Sequence, residues 1–415
     1  MRQATALGLS ASLALTGTSA IAVADALRKE PSSNLDFAAF WRAARWIVEG
    51  RPGDLYPAVS FGGAGGGTFK GFVNPPHVAP LFIPFAHLSL ATGSRAFAAL
   101  NVAVLGVVAV LALRFLQSLG VARMEATIAT LLMLGSAAVS TSIVHGAMSL
   151  TVMLAIALVV RADQGGDAWS TGLLFGLLSI KPQYAILPFV FLVARGRWRA
   201  VAGAIISTVV FVGATLPLTG VRPWSQYLPF LDRYASSLDI WQLSIKRELW
   251  LPKEMLNVRG LLVRMLGTSH VALINGLTIV VLVGAVLVVI VLARDTTHDR
   301  SNTTWAAVIA LTVLTSQHTN ISDGVLLFVA LFLLVGHATT RSVDRLLVGA
   351  LALNLAMLFG NPSGRAPSVP WSAFAALVLT AVALSKVFVG NRSPVSGRDP
   401  ISASSGGIVT PIQPA

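Results

Sequence analysis

The sequence predicts a polytopic α-helical integral membrane protein, and three observations predict it. Of its 415 residues, 55% are hydrophobic and only 11% charged, against about 25% charged in a soluble domain, and the mean hydropathy is +0.75. Apolar stretches recur from the N-terminus to about residue 390 with only short breaks. The basic residues gather in short clusters between those stretches, as Lys and Arg do in the cytoplasmic loops of membrane proteins. The net charge of +13 therefore reports topology. Without a basic face or interleaved aromatics it argues against nucleic acid as a partner.

The elements follow in order. Residues from about Ala4 to Ala26 are apolar and follow Arg2. They can be read as a cleavable signal peptide, but the run is long enough to span hydrocarbon once and reads better as a retained first helix. In the polar segment from Leu27 to Pro76, the positions Phe37, Phe40, Trp41, Ala44 and Ile47 recur at three-to-four spacing. This describes an amphipathic helix, placed along the membrane interface in the first outer loop. The run from Gly62 to Gly67 reads as a flexible loop, since no strand and helix flank it as a phosphate cradle requires.

Apolar segments follow at about 78–91, 96–115, 126–143, 150–160, 171–180, 185–194 and 201–218. After a second polar segment rich in Trp and Pro come those near 271–293, 305–314, 325–335, 346–359 and 371–389. Several are shorter than the roughly 20 residues a span needs. Short or broken helices survive at membrane depth only where protein or a water-filled cavity satisfies their backbone, so they predict a cavity. The expectation is one transmembrane domain over residues 1–390, a bundle of about 11–13 helices, followed by a disordered cytoplasmic tail over 391–415, rich in Ser, Gly and Pro.

Arg195, Arg197 and Arg199, then Arg294 and Arg300, then Arg341 and Arg345 mark loops that read as cytoplasmic. The segments around Asp36 and Trp224 then face outward. Counting every apolar run as a span would put Arg195–Arg199 outside, so one pair of runs, those flanking Lys181, must be half-helices.

Little in the sequence can carry chemistry. There is no cysteine and the seven histidines are dispersed, so disulfides, thiolate nucleophiles and cysteine-ligated metals are excluded, and no metal site or cofactor is expected. Asp36, beside the aromatic amphipathic stretch, can act as a general base on a hydroxyl or can cap the helix that follows it. Lys181 interrupts apolar sequence on both sides. An isolated Lys at a helix centre costs roughly 2.5–3.5 kcal/mol on insertion scales, so it marks either a site for a phosphate or a side chain snorkelling from a helix end. His318, Asn320 and Asp323 form a short polar break that can line a substrate cavity or make an ordinary polar turn. Asn74 and His77 frame Pro75 and Pro76 at the entry to the next apolar run, where Pro at a first helical turn is structurally expected.

Four stretches together resemble glycosyltransferase family 87, the mannosyltransferase-like membrane enzymes of the GT-C superfamily. They are LDFAAFWRAARWIVEGRPGDLYP, FVNPPHVAPLFIPFAHL, GLLFGLLSIKPQYAILPFVFLVARGRWRA and SQHTNISDGVLLF. The resemblance implies a GT-C-like bundle in the inner (plasma) membrane, a polyprenyl-phosphate sugar donor, and a glycolipid or glycan acceptor reached from the extracytoplasmic side. It further implies metal-independent inverting transfer in which the lipid-linked sugar is a substrate and no cofactor is needed. At the matching positions it implies Asp36 as the base and His318 beside the reacting sugar. Lys181, with Arg42, Asn74, His77, Gln183 and Asp323, would then bind substrate. The sequence departs from the family pattern at His145-Gly146-Ala147, where Gly-Gln is frequent, and at Ser322, where Tyr is frequent. The alternatives are a secondary transporter or lipid flippase with Lys181 and Asp323 along the pathway, for which no internal repeat is found, or a noncatalytic assembly subunit.

Overall fold

The structure is a computed structural model and describes residues 3–29, 36–56, 72–236, 255–294, 301–316, 318–335, 339–359 and 371–389. The glycine-rich run at 62–67 and the tail over 391–415 lie outside the described residues, which contain helices and no strand. Four helices are long and apolar enough to cross a membrane unaided: α1 (Gln3–Arg28), α4 (Leu90–Ser118), α10 (Trp198–Thr219) and α13 (Val271–Ala293). The apolar run at 126–143 is a bent pair, α5 (Arg123–Leu134) and α6 (Ala137–His145), turned by 45° where Ser136 caps the second helix through the Val139 amide. The long helices expose apolar faces, such as Leu100, Val107 and Val110 on α4 and Val280, Val283 and Leu287 on α13. Such faces need lipid, because water would leave their burial unrewarded. The first helix is built into the bundle: Thr16 Oγ1 donates to the Leu131 carbonyl at 3.1 Å and Ser19 Oγ to that of Gly135 at 2.8 Å.

Inside these helices sit shorter ones. α7 (Ser149–Gln164) is followed by a hairpin that rises through α8 (Ala168–Phe175) and a 3-10 continuation, Gly176–Ile180, turns at Lys181, and returns through Pro182–Tyr184 and α9 (Ile186–Ala194). A second hairpin runs through α14 (Ser301–Thr315), a polar turn, the 3-10 segment Ile321–Gly324 and α15 (Val325–Leu333). The apolar legs at Ala168–Ile180, Pro182–Ala194 and Ile321–Leu333 are each 10–17 residues long. At about 1.5 Å per residue they reach roughly 15–25 Å, short of the roughly 30 Å of hydrocarbon. Their turns therefore lie inside the bundle, as the reading of the runs around Lys181 as half-helices requires. Every residue of α15 is buried, and so is α14 from Thr304 onward, which is why this hairpin is apolar on all sides. α8 presses on α10 with no side chain between them: a Cβ on Gly172 would stand 2.2 Å from the Ala200 carbonyl oxygen. α16 (Thr340–Phe359) and α17 (Trp371–Val389) complete the bundle, and Lys386 on α17 donates to the Leu334 carbonyl at 2.6 Å.

One carboxylate ties the basic ends of these helices. Asp163, at the end of α7 and 2% exposed in its side chain, accepts from Arg197 at 2.7 and 3.1 Å, from Arg195 at 3.4 Å and from the Trp305 indole at 2.9 Å. The loop between α9 and α10 and the start of α14 are thereby fixed to α7. In the adjoining loop, the Ser170 hydroxyl and amide hold the Asp167 carboxyl below the usual carboxylate range.

At the opposite end lies an aromatic layer. It contains α2 (Asp36–Val48), the 3-10 segment Pro76–Phe82 leading into α3 (Ile83–Ala86), and α11 (Arg222–Ser236). α2 is the amphipathic helix of the sequence, and it buries Phe37, Phe40, Ala43, Ala44 and Ile47. Phe40 stacks on Phe82 at 4.5 Å, and Tyr56 packs between Tyr227 and Phe230 at 5.3 and 5.0 Å. Burial pushes the Tyr56 phenol far above its ordinary pKa, and its hydroxyl donates to the Asn74 carbonyl. α12 (Val258–Leu266) follows α11.

Asp163→Ala leaves two guanidinium groups and an indole N–H without their shared acceptor. The expected cost is about 3 kcal/mol, read as a lower thermal unfolding temperature in detergent; unfolding at the wild-type temperature would contradict the role given to Asp163.

Candidate functional site

Lys181 stands between two 3-10 turns with φ −131° and ψ 79°, the extended backbone that a following proline imposes. Placed at the hairpin tip, its side chain meets two other elements. Nζ donates to Asp323 Oδ1 at 2.6 Å and to Ser149 Oγ at 3.2 Å, and Ser149 in turn donates to the same carboxylate oxygen at 2.6 Å. The other oxygen of Asp323 accepts the Asn320 amide at 3.1 Å, closing a capping box at the head of the 3-10 segment. Lys181 and Asp323 are 13% and 2% exposed. An ion pair so enclosed is held by its hydrogen bonds as much as by its charges. Tyr184, one turn after Lys181, is wholly buried, and its hydroxyl reaches Asp323, Thr319 and Ser316.

Asp36 arrives from the aromatic layer. It is the first helical residue of α2, not the residue before the helix, and it is half-buried. Its neighbour Phe37 packs on Gly146, which closes α6 at φ +65°. A Cβ at Gly146 would meet the Phe37 Cβ at 2.5 Å, so this turn demands glycine both for its left-handed backbone and for contact with α2. The buried apolar cluster that holds Phe37 also contains Met148 and Ile180. Each of the three polar residues Asp36, Ser149 and Lys181 thus follows or precedes an apolar residue anchored in one cluster, and that shared anchor sets where the polar side chains emerge.

His318 lies in the turn after α14, and the charges of Asp323, Lys181, Asp36 and Arg259 all act on its ring. The structure therefore brings Asp36, Lys181, His318 and Asp323 together. Gln183, half-buried, shares the 3-10 turn with Tyr184. The other candidates stand apart. Arg42 is six positions along α2 from Asp36, about 9 Å of helix rise. His77 is buried in the aromatic layer, stacked on Trp224 at 5.6 Å with the edge of Phe211 at 4.9 Å. Asn74 takes part through its carbonyl, which receives the Tyr56 hydroxyl.

The family model for glycosyltransferase family 87 matches residues 72–316, more than half of the 415 residues. The chain belongs to glycosyltransferase family 87. No curated protein and no solved structure matches it. The protein is thus a membrane glycosyltransferase by family. The matched span contains Lys181, Ser149 and Arg259, while Asp36 precedes it and His318 and Asp323 follow it.

Both departures from the family pattern fall at this site. Gly146 is the contact with α2. Ser322, 3% exposed, has its hydroxyl 3.3 Å from that of Ser149, and its carbonyl accepts from Ser142 at 3.1 Å. A Tyr in that place would have to push α6 and α7 away. Sequence reasoning missed Ser149, Tyr184 and Arg259. Ser149 and Tyr184 sit in ordinary helical sequence with no charge to flag them, and Arg259 is one of 30 basic residues.

Lys181→Met strands the Asp323 carboxylate, and the expected loss is about 3–5 kcal/mol. Lys181→Met with Asp323→Asn removes both charges and should recover most of the wild-type unfolding temperature. A double variant no more stable than the single one would refute the coupling between them.

Proposed function

We propose that the protein transfers a hexose, with mannose as the first candidate, from a polyprenyl-phosphate donor to a glycolipid or polysaccharide acceptor. In this reading the site faces the extracytoplasmic side of the inner (plasma) membrane, since the Asp163 end of the bundle carries Arg195, Arg197 and Arg199 and is cytoplasmic by the positive-inside rule. The observation that carries the reading is the convergence of Asp36, Lys181 and Asp323 on His318 from separate helical elements, in a chain of glycosyltransferase family 87.

The chemistry follows from what each group can do. Asp36 accepts the proton of the acceptor hydroxyl as that oxygen bonds to the anomeric carbon. The bond from that carbon to the phosphate oxygen breaks on the opposite face, so the configuration inverts and the polyprenyl phosphate leaves with the bonding electrons. Lys181 has three N–H donors, of which two are engaged by Asp323 and Ser149. The third can meet a phosphate oxygen without breaking the ion pair. His318 lies where it can hydrogen-bond the sugar. Positive groups fixed beside the departing phosphate lower the barrier because negative charge grows there in the transition state. The donor already holds the energy of transfer, so the reading needs no nucleotide and no cofactor.

Membranes containing the protein, given labelled polyprenyl-phosphate mannose and extracted glycolipids, are expected to form a labelled product. Asp36→Asn should lower the rate by about 100- to 10,000-fold at unchanged expression. Transfer at the wild-type rate by that variant would remove Asp36 as the base.

A further inference from the structure

Resting on that reading, the charges around His318 raise a difficulty. Lys181 brings one positive charge and Asp36 and Asp323 bring two negative ones, so these residues alone make a net negative site. An anionic phosphate donor would be repelled from it. Lys181 cannot leave Asp323 to answer this, because a carboxylate 2% exposed would be abandoned in the interior, and breaking a buried pair is strongly unfavourable.

Arg259 is the remaining charge that acts on His318. It is 7% exposed and lies in the first turn of α12. That helix is fastened to the His318 turn on both sides of the histidine. Asn257, the capping residue of α12, donates through Nδ2 to the Ser316 carbonyl at 2.6 Å and accepts from the Gly260 amide at 2.8 Å, and the Leu256 amide donates to the Thr319 carbonyl at 3.0 Å. The register of the α12 start is thereby set against the turn, and Arg259 is carried with it. A guanidinium offers a planar fork of donors that suits a phosphate better than a lone ammonium does.

We infer that Arg259, carried by α12 against the His318 turn, is the residue that binds the phosphate of the lipid-linked substrate, with the Lys181–Asp323 pair serving to position it. The ligand class is a polyprenyl phosphate, whether bearing the sugar or released after transfer. On transfer the phosphate gains a second negative charge, and Arg259 then holds the released carrier more tightly than the donor.

The test measures binding of polyprenyl phosphate and of uncharged polyprenol to the full-length protein in detergent. Arg259→Gln is expected to weaken the phosphate lipid at least tenfold and leave polyprenol binding within twofold. Equal loss for both lipids would mean that Arg259 only supports the fold, and no loss for either would mean that another group holds the phosphate; each result overturns the inference. Should the Gln variant fail to fold, Arg259→Lys decides: phosphate binding three- to tenfold weaker with polyprenol unaffected supports the assignment, and unchanged phosphate binding overturns it. Wild-type protein that does not bind polyprenyl phosphate overturns both this inference and the proposed function. Wild-type protein that binds it through Arg259 but transfers no sugar retains the inference and removes the proposed function alone.

Discussion

The ion pair between Lys181 and Asp323 is the constraint on which the interior depends. Neither residue belongs in an apolar bundle by itself, and each is tolerable only because the other stands 2.6 Å away. Their attachment to Ser149 joins the tips of the two short hairpins to the start of α7. At the far end of the same helices Asp163 does the corresponding work with Arg195, Arg197 and Trp305. Two buried carboxylates, one at each end, thus fix the length and register of helices that are too short to be fixed by the bilayer.

This explains which parts were legible in the sequence. The apolar runs gave the helices nearly one for one, because the chain has few other ways to satisfy its backbone in lipid. The charge at Lys181 within apolar sequence announced a broken span, and the number of basic loops required one there. Partners were not legible. Asp163 reads as a loop acid, and only folding shows it enclosed by two arginines and an indole. Ser149 opens a helix like many serines, and its hydroxyl matters only because Asp323 arrives from 174 positions away. The helix of α11 within the Trp- and Pro-rich segment was also unseen, because its aromatic face is defined by what it covers, His77 and Tyr56 among them.

The departures from the family pattern have a common physical meaning. Gly146 and Ser322 are small residues at places where elements touch: α2 on the α6–α7 turn, and the polar turn on Ser142 and Ser149. Small side chains let these segments close up, so Asp36 and Asp323 approach the hairpin tip that carries Lys181. The spacing of the site follows from what is absent at those two positions as much as from the charged residues themselves.

The two layers are also joined by different kinds of contact. The hairpin core is bolted by charge-assisted hydrogen bonds, which are lost when their atoms shift by an ångström or so. α11 is held over the site by ring against ring, Trp224 on His77 and Tyr227 and Phe230 on Tyr56, and such surfaces retain most of their attraction when displaced sideways. The boundary between them is a slip plane. A bulky isoprenoid substrate can be admitted by gliding the aromatic roof across a rigid floor, leaving the polar tips beneath in register throughout.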